Sequence, residues 1–553
     1  MSGPATDRRV VVVTGGGGGI GAAIATELGR RGDHVVTVDP LVSVDGSEQL
    51  PSPEETTAGR IVASGGSAHA SNLSVTDRDG IGELFSELVD THGRLDGVVN
   101  VAGITRPTGF AKGSEQDWSA LLAVHLGGYR NVVDAALPIM AAAGRGHILG
   151  VTSGSGWRAA DAGAYSCAKR AVAALTWQLG GVAPPGVTIN AISPIAMTRM
   201  VTAALGRAAS SGSAPPPGGS SATGGLSLGS MPEPEHLGPL GAFLMGHGPV
   251  GLQGQVLFAG GSEVALVEPP RLLEVVRTSA VASIDAVLHA VVATLVAAEN
   301  GQRTTGGANA RFGSIFDQHG ASAHSTSTGD IGEVRAAAVV SDRDELASAI
   351  TERLRSGGVS TLAVPATAGG FDAARGALEN ARARLGRLDA VVVAMAAPQP
   401  VAEQDRWRAV LAEHDGLEEQ IHADASWARA AAEHTSTHGG PLRLVHVVDA
   451  VTSGGRSRAQ AASQLTRAAR RATEDRVSAF AVALEASDES AAAASLVVEL
   501  MTASDLTGLA GAELVVGAGW LGLRSHPRPA ASIAFGGPEL PPWFGDVLRE
   551  LAT

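Results

Sequence analysis

Residues 10–21 read Val-Val-Val-Val-Thr-Gly-Gly-Gly-Gly-Gly-Ile-Gly, and this stretch decides the fold. Four β-branched residues without polar alternation predict a parallel strand that is covered on both faces. A helical pattern follows from Ala22 to Arg31. The order of strand, glycine turn and helix is typical of a dinucleotide-binding unit, because glycines let the backbone approach a pyrophosphate at the positive end of the helix dipole. A linker is the alternative, but a linker is not bracketed by a strand and a helix.

The second predicted strand, His34 to Val38, ends at Asp39, which lies 18 residues after Gly21. A carboxylate at this place accepts hydrogen bonds from the adenosine ribose hydroxyls and repels a 2′-phosphate. Asp39 therefore predicts NAD rather than NADP as the cofactor. The alternative is that Asp39 only forms the turn before Pro40.

Tyr165 and Lys169 are the candidate acid and base. The sequence has only two tyrosines and, among 41 basic residues, only two lysines, and one of each falls here. At a spacing of four on a helix the two side chains share one face, with Cβ atoms about 5–6 Å apart. An ammonium group beside a phenol favours the tyrosinate and brings its titration closer to neutral pH. A chance pair on an ordinary amphipathic helix is the alternative.

Further motifs stand in a fixed order around this pair. They are Thr-Gly-x-x-x-Gly-x-Gly at 14–21, Asn-Val-Ala-Gly at 100–103, Ser153 after the strand His147 to Thr152, and Tyr-x-x-x-Lys at 165–169. Together they resemble the short-chain dehydrogenase/reductase family over residues 7–268, with Val101 in place of a second asparagine. The resemblance implies a Rossmann-like α/β domain and an NAD-dependent oxidoreductase that interconverts a secondary alcohol and a ketone.

The resemblance also implies roles for individual residues. Tyr165 would donate and accept the substrate proton, Lys169 would lower the tyrosine pKa and hold the nicotinamide ribose, and Ser153 would hydrogen-bond to the substrate oxygen. The spacing from Ser153 to Tyr165 is one residue shorter than the commoner family pattern, which leaves Ser155 as an alternative. No metal is predicted. The residues assigned to the cofactor are Thr14, Gly15, Gly19, Ile20, Gly21, Asp39, Asn72, Leu73, Asn100, Ala102, Gly103, Tyr165, Lys169, Pro194, Ile195 and Thr198.

His125 is a fourth candidate catalytic residue. It stands where most family members carry an asparagine that takes part in a proton relay. Imidazole can also pass protons, since its pKa lies near neutrality and it has two ring nitrogens. The alternative is a hydrogen-bonded core histidine with no part in turnover.

Three features are similar to the (3R)-hydroxyacyl-CoA dehydrogenase domains of peroxisomal-type multifunctional enzymes. They are Val-His-Leu-x-Gly at 124–128, Ala-Gly-Ile-x-Arg at 102–106, and the insertion from Leu41 to Ser64. This resemblance implies oxidation of a 3-hydroxyacyl thioester, so the predicted partner is a small-molecule or CoA-linked substrate. The short serine spacing, Val101 and Ile195 leave open a cyclic, terpenoid, steroid or polyketide ketone.

The segment from Val201 to His236 is rich in proline, glycine and serine. A segment of this composition buries little apolar area by itself. It falls where the family keeps its substrate lid, so it predicts either a cover over the acceptor site or a tolerated surface insertion.

The pattern of the first half returns weakly in the second half. Gly-Arg-Leu-Asp at 386–389 matches 93–96, Val-Thr-Ser-Gly at 451–454 matches 151–154, and Gly-Leu-Ala-Gly at 508–511 resembles 251–254. The chemistry does not return, because no tyrosine follows Tyr165, no lysine follows Lys169 and the glycine motif is missing. We therefore predict a duplication that gave two Rossmann-like, doubly wound parallel-sheet domains in tandem.

The predicted division is a catalytic NAD-binding domain at 1–270, a helical and polar connection at 271–330 and a degenerate domain without an active site at 331–553. The connection is expected to be helical from Leu272 to Glu299. The degenerate copy would serve as a built-in partner subunit, an internal pseudo-dimer, and a homodimer stays open. A noncatalytic scaffold is the competing class of function, and the intact Ser153, Tyr165 and Lys169 disfavour it.

Composition argues against several kinds of partner. The formal charge is −14 and no basic patch alternates with aromatic residues, which disfavours nucleic acid and anionic membranes. The single cysteine, Cys167, rules out an intrachain disulfide and fits a reducing compartment, so a cytoplasmic location is expected. The longest apolar stretch, Ala280 to Ala298, contains Asp285 and His289 and predicts a buried helix rather than a membrane span.

Overall fold

The computed structural model describes residues 8–203, 232–248, 251–278, 288–302, 333–366, 369–396, 398–504 and 506–552. These residues form two α/β units in tandem, each with one large sheet. The strands are β1 Val10–Thr14, β2 His34–Val38, β3 Ser67–Ser71, β4 Gly97–Asn100, β5 Gly146–Val151, β6 Val187–Ile195, β7 Val256–Gly260, β8 Glu263–Glu268, β9 Leu272–Arg277, β10 Ala336–Ser341, β11 Ser360–Pro365, β12 Ala390–Met395, β13 Leu442–Asp449, β14 Val477–Leu484, β15 Glu513–Gly517, β16 Trp520–Arg524 and β17 Arg528–Ala534.

Helices pack against both sheets and supply the rest of the core. They are α1 Gly19–Arg30, α2 Thr57–Ala63, α3 Arg78–His92, α4 Glu115–Leu122, α5 Gly128–Ala143, α6 Gly163–Gly180, α7 Gly238–Ala242, α8 Leu288–Asn300, α9 Asp344–Ser356, α10 Phe371–Leu385, α11 Arg406–Glu413, α12 Leu417–His438, α13 Ser453–Thr466, α14 Ala469–Ala472, α15 Ser490–Thr502 and α16 Phe544–Ala552.

The first sheet has the strand order β3-β2-β1-β4-β5-β6-β7, with all neighbours parallel, followed by antiparallel β8 and β17. The chain direction across the sheet reverses between β1 and β4, and such a switch point opens a crevice at the carboxyl ends of the strands. All four residues of the predicted strand Val10 to Val13 are fully buried, as expected of a strand covered on both faces.

The second sheet repeats this path with one strand fewer at one edge. Its order is β11-β10-β12-β13-β14-β15, all parallel, followed by antiparallel β16 and β9. Equivalent aspartates bind the first strand of each unit. Asp96 accepts from the Val10 amide at the start of β1 at 2.8 Å, and Asp389 accepts from the Ala336 amide at the start of β10 at 3.0 Å. The predicted pair of Rossmann-like domains in tandem is confirmed.

The two units exchange their last strands. β9 leaves the first unit to pair with β16, and β17 leaves the second unit to pair with β8. The predicted helix from Leu272 is therefore wrong over Leu272–Arg277, where β-branched Val275 and Val276 complete the edge of a sheet. Among the described residues of this connection, the helix α8 spans Leu288–Asn300, and residues 279–287 lie outside the described part. The boundaries at 270 and 330 stay predictions. By that division β9 belongs to the connection and pairs with the second domain, whereas β17 belongs to the second domain and pairs with the first.

Helices of the two units share one apolar core. Residues of α4, α5 and α6 belong to the same buried cluster as residues of α10, α12 and α13. Trp118 and Phe371 meet edge to face across this boundary, with ring centroids 6.4 Å apart. Arg170 on α6 forms a buried ion pair with Glu513 on β15. The second unit thus packs against the helix that carries Tyr165 and Lys169.

Two expectations fall wholly or partly outside the described residues. Most of the segment Val201 to His236, predicted as a lid or an insertion, lies outside them, as does the first part of the apolar stretch from Ala280. Within the described part of the chain, no helix combines the length and the apolar character needed to cross a bilayer.

Candidate active site

The glycine turn after β1 lies at the switch point of the first sheet. Gly15 and Gly19 have φ values of +65° and +53°, where a side chain is strained. A Cβ atom on Gly15 would lie 2.9 Å from the Ala102 nitrogen, and one on Gly21 would overlap the Gly15 carbonyl oxygen. Gly18 at the N-cap of α1 has no side chain to accept from the first-turn amides. These amides and the helix dipole form a cradle that fits a pyrophosphate.

Asp39 faces this turn from the end of β2. Its Oδ2 accepts from the Gly17 amide at 3.1 Å and its Oδ1 from the Leu41 amide at 3.0 Å. The carboxylate thus stands beside the cradle, and it also makes the local turn that was the alternative interpretation. Asn72 is exposed and Leu73 partly buried just after β3, at the same edge of the sheet.

The end of β4 closes against the end of β1. The Thr14 hydroxyl donates to Asn100 Oδ1 at 2.8 Å and accepts from the Ala102 amide at 3.3 Å. Gly103 follows, and a Cβ atom there would lie 2.5 Å from His125 Cε1. Glycine at 103 therefore lets the histidine ring lie directly against the backbone.

Ser153, Tyr165 and Lys169 come together beside this crevice. Ser153 lies near enough to the Tyr165 hydroxyl to lower the pKa of the phenol, and its Oγ accepts from the Ser155 hydroxyl at 3.1 Å. Lys169 Nζ lies 5.8 Å from the Tyr165 ring centroid and donates to the Val151 carbonyl at 2.6 Å. The structure thus puts Ser153 next to the tyrosine, with the buried Ser155 behind it.

The charges at this cluster differ from the expectation that Lys169 depresses the tyrosine pKa. Burial raises the pKa of Tyr165, and Ser153 and Arg158 only partly oppose this effect. Burial also lowers the pKa of Lys169 to about 7, and this side chain is only 4% exposed. Tyr165 is therefore a protonated phenol beside an amine with a pKa of about 7.

His125 lies in a π-helical turn, Ala123–Gly127, between α4 and α5. Its ring meets the Tyr165 ring edge to face, with centroids 4.9 Å apart. Nε2 lies 2.8 Å from the Ile104 carbonyl oxygen and 3.3 Å from the Ile104 amide nitrogen, and a proton on Nε2 satisfies the shorter contact. Burial and Lys169 lower the pKa of His125 to about 3, so the imidazole is neutral. Among the described residues, Nδ1 has no partner, which leaves a buried acceptor beside Tyr165 and Lys169.

The end of β6 covers the glycine turn. Pro194 and Ile195 are half-buried at the last positions of this strand, and Thr198 Cγ2 lies 3.5 Å from the place of a Cβ atom on Gly19. Arg199, which sequence reasoning missed, puts its Nη2 3.1 Å from the place of a Cβ atom on Gly18. The guanidinium thus adds a positive charge at the cradle, and its only sequence signal was its position directly after Thr198.

Sequence reasoning also missed two residues that tie the site to the second unit. Gln464 on α13 donates to the Ser155 carbonyl at 2.9 Å and to the Arg158 carbonyl at 2.7 Å. Arg170, next to Lys169, donates to the Gly156 carbonyl at 3.4 Å while it pairs with Glu513. The second unit therefore contacts the segment Ser153 to Arg158 directly through Gln464 and indirectly through the ion pair of Glu513 with Arg170.

Comparison with known proteins agrees with this geometry. A family model described as short chain dehydrogenase matches residues 9–208. A 3-oxoacyl-[acyl-carrier-protein] reductase of Synechocystis is 32% identical over 178 residues, which are 32% of this chain and 69% of the reductase. The chain belongs to the short-chain dehydrogenase/reductase family. It is thus an oxidoreductase that acts on CH–OH groups, as the motifs predicted.

One further relative in sequence and one solved structure extend the comparison. The mouse peroxisomal multifunctional enzyme type 2 is 36% identical over 202 residues, which are 36% of this chain and 27% of that enzyme. The N-domain of a bacterial malonyl-CoA reductase, solved with NADP, covers 92% of this chain with a TM-score of 0.61 and 16% identity. The second match supports the tandem fold of the whole chain.

The second unit lacks the local structure on which the site of this dehydrogenase/reductase is built. In the first unit, residues 152–162 connect β5 to α6, whereas α13 begins at Ser453, directly after residues 450–452. Ser453, the counterpart of Ser153, is buried, and its amide and hydroxyl both donate to Glu413. Ser453 is thus the first residue of a helix, whereas Ser153 lies in the segment that connects β5 to α6.

Proposed function

We propose that this chain uses NAD to oxidise 3-hydroxyacyl thioesters to 3-ketoacyl thioesters in its first unit. The observation that carries the oxidoreductase chemistry is the contact of Ser153 with Tyr165 beside Lys169. When bound, the cofactor would supply hydride chemistry at its nicotinamide ring.

The cofactor would lie across the switch point of the first sheet, and the residues around this point fit its parts. The uncapped first turn of α1 and Arg199 suit the pyrophosphate. Asp39 suits the adenosine ribose and opposes a 2′-phosphate by charge repulsion, which supports NAD over NADP. Ile20, Asn72, Leu73, Asn100, Ala102, Gly103, Pro194, Ile195 and Thr198 line the same edge of the sheet and would complete the site.

The protein's own part in the reaction is proton transfer and charge stabilisation. For oxidation the Tyr165 phenol would first give up its proton, and the neighbouring Lys169 amine, with a pKa of about 7, can accept it. The tyrosinate would then take the proton of the substrate hydroxyl, and the phenol would return it during reduction. Ser153 would hold the same oxygen as its charge develops. Lys169 would hold the nicotinamide ribose. His125 Nδ1 would accept a hydrogen bond in a proton path that leads away from Tyr165 and Lys169.

The substrate class rests on relatives and on the resemblance of three stretches of sequence. One relative is a 3-oxoacyl-carrier reductase and another is a peroxisomal multifunctional enzyme. The insertion from Leu41 also contacts a second of the three stretches, because the Arg106 guanidinium donates to the Asp45 carbonyl at 2.7 Å. These two features therefore form one local surface.

The second unit would act as a built-in partner subunit without its own site. Its α13 packs on α6, and Gln464 reaches the segment that carries Ser153. The missing connection before α13 and the buried Ser453 support the loss of a second site. Calorimetric titration with NADH should give one site per chain, and two equal sites would reject this division of labour.

A substrate panel tests the proposed activity. The purified full chain is incubated with NAD or NADP and 3-hydroxyacyl-CoA esters of several lengths, beside free cyclic secondary alcohols, and nicotinamide absorbance is followed. Thioester oxidation with NAD is expected. Turnover of the free alcohols alone would reject the thioester, a preference for NADP would reject the role of Asp39, and no turnover with any substrate would favour a noncatalytic scaffold.

A further inference from the structure

Two histidines and one glutamate converge on α10 and α12 of the second unit, and none of them belongs to the candidate active site. His434 and His438 lie one turn apart at the end of α12, and Glu379 faces them from α10. One ligand atom from each of the three residues lies within 4.8 Å of the other two. Only the spacing of four between the two histidines is visible in the sequence, because Glu379 is distant from them in the chain.

The group contains an open buried nitrogen. His434 is only 5% exposed, and its Nδ1 has no hydrogen-bond partner among the described residues. A buried polar atom without a partner is costly, so such an atom calls for a ligand or a functional reason. His438 Nε2 lies 2.9 and 3.0 Å from the two Glu379 oxygens, and the two imidazole centroids are 4.9 Å apart.

These donors suit one class of ion. Two imidazoles and a carboxylate, with a water as fourth ligand, are a frequent set for Zn²⁺ and related divalent transition metals. Ligand bonds of about 2.0–2.1 Å in a tetrahedron put the ligand atoms about 3.3–3.4 Å apart. Glu379 and His438 are partly exposed at the ends of their side chains, so they can move the short distance from the observed spacing to this one.

The local charges allow binding but do not all favour it. Burial, His438 and Arg382 lower the pKa of His434, whereas Glu379 and a hydrogen bond with the Leu388 backbone raise it. Glu379 supplies the negative charge. Arg382, one turn further along α10, repels a cation at this place.

We propose that Glu379, His434 and His438 bind one divalent transition-metal ion of the Zn²⁺ class, which ties the end of α12 to α10. We assign the ion a structural role, because it joins two helices and none of its ligands belongs to the candidate active site. Its loss therefore leaves the oxidoreductase chemistry in place and lowers the thermal stability of the second unit.

The test uses the full-length chain after treatment with a chelator. Isothermal titration with ZnCl₂ should show about one equivalent bound, and 10 equivalents of ZnCl₂ should raise the melting temperature by several degrees. His438→Ala and Glu379→Ala change partly exposed side chains and should each remove the titration signal and the shift. Arg382→Gln should tighten binding, because it removes the opposing charge.

A matched control comes from a second group of histidines in the first unit. His34 lies 4.5 and 5.2 Å from His92 and His69 by ring centroids, but among the described residues only Glu379, His434 and His438 bring three ligand atoms within 4.8 Å of one another. His69→Ala should leave Zn²⁺ binding unchanged. If His69→Ala abolishes the signal while His438→Ala and Glu379→Ala retain it, or if the parent chain binds no Zn²⁺, the proposed site is rejected and Glu379 and His438 are an ordinary ion pair.

Discussion

Gln464→Ala tests whether the second unit positions the catalytic segment of the first. The Gln464 side chain is 2% exposed, and its amide group donates to the carbonyls of Ser155 and Arg158. The Ser155 carbonyl lies within the short turn Gly154–Gly156 directly after Ser153, and the Arg158 carbonyl lies two residues after this turn. Alanine would leave both carbonyls without their donor and would free the turn.

The expected size of the effect follows from the burial of the two acceptors. A buried polar group that loses its partner costs about 1–3 kcal/mol. The Ser155 carbonyl bond is fully buried and the Arg158 bond only partly, so water can relieve the second one. We expect a loss of about 2–4 kcal/mol in the free energy of unfolding. A shift of Ser153 by about 1 Å would lower kcat by about 10- to 100-fold.

Gln178→Ala is the matched control. Gln178 also donates an amide hydrogen bond across the boundary between the units, to Ser457 at 2.9 Å, but it does not touch the catalytic segment. Ser457 keeps a partner in His414 at 2.8 Å, so the expected cost is about 1 kcal/mol with unchanged kcat. Chemical unfolding, NADH titration and initial rates are measured for both variants. Equal kcat values in Gln464→Ala and the parent chain would refute the positioning role.

Three further predictions concern the candidate site itself. Tyr165→Phe should abolish turnover and leave the NADH dissociation constant nearly unchanged, since the hydroxyl is needed only for proton transfer; rates near those of the parent chain would move the acid and base elsewhere. Asp39→Asn keeps an acceptor for the Gly17 amide and removes the charge, so the ratio of kcat/KM for NADP to that for NAD should rise at least about tenfold; an unchanged ratio contradicts the charge argument. Lys169 has a pKa lowered by burial from 10.5 to about 7, so the unfolded chain binds more protons between these values and stability should rise with pH across that range; melting curves at pH 7 to 9.5 should show this rise in the parent chain and not in Lys169→Met.

The sequence predicted the parts of the structure that depend on local patterns. Val10 to Val13, His34 to Val38 and Gly97 to Asn100 became strands at almost those bounds, because β-branched runs beside glycine turns leave few other choices. The pairing of Tyr165 with Lys169 also followed from helical spacing. The pKa of Tyr165 did not, since burial depends on the whole surrounding structure and outweighs a charge inferred from spacing.

The exchanged strands were beyond reach of a local pattern. Val275 and Val276 are apolar and lie beside a predicted helix, so periodicity alone cannot assign them to a strand. Their partner, β16, lies more than 240 residues later in the chain, and only tertiary pairing decides their conformation. The same holds for Gln464, whose polar side chain on a buried helix face gives no sign of the two carbonyls that it meets.

The strand exchange makes the first unit depend on the second unit, whether or not the second unit has a site of its own. β17 covers the edge of β8, so removing the second unit would expose a row of unpaired backbone groups. The same removal would uncover the apolar face of α6 and leave Arg170 buried beside Lys169 without Glu513, and a buried charge that loses its partner is costly. Loss of the segment before α13 costs the second unit only its chemistry, because that segment contributes no strand to either sheet. Selection can therefore discard the second site and keep the fold, since the first unit depends on the strand, the core and the hydrogen bonds that the second unit supplies.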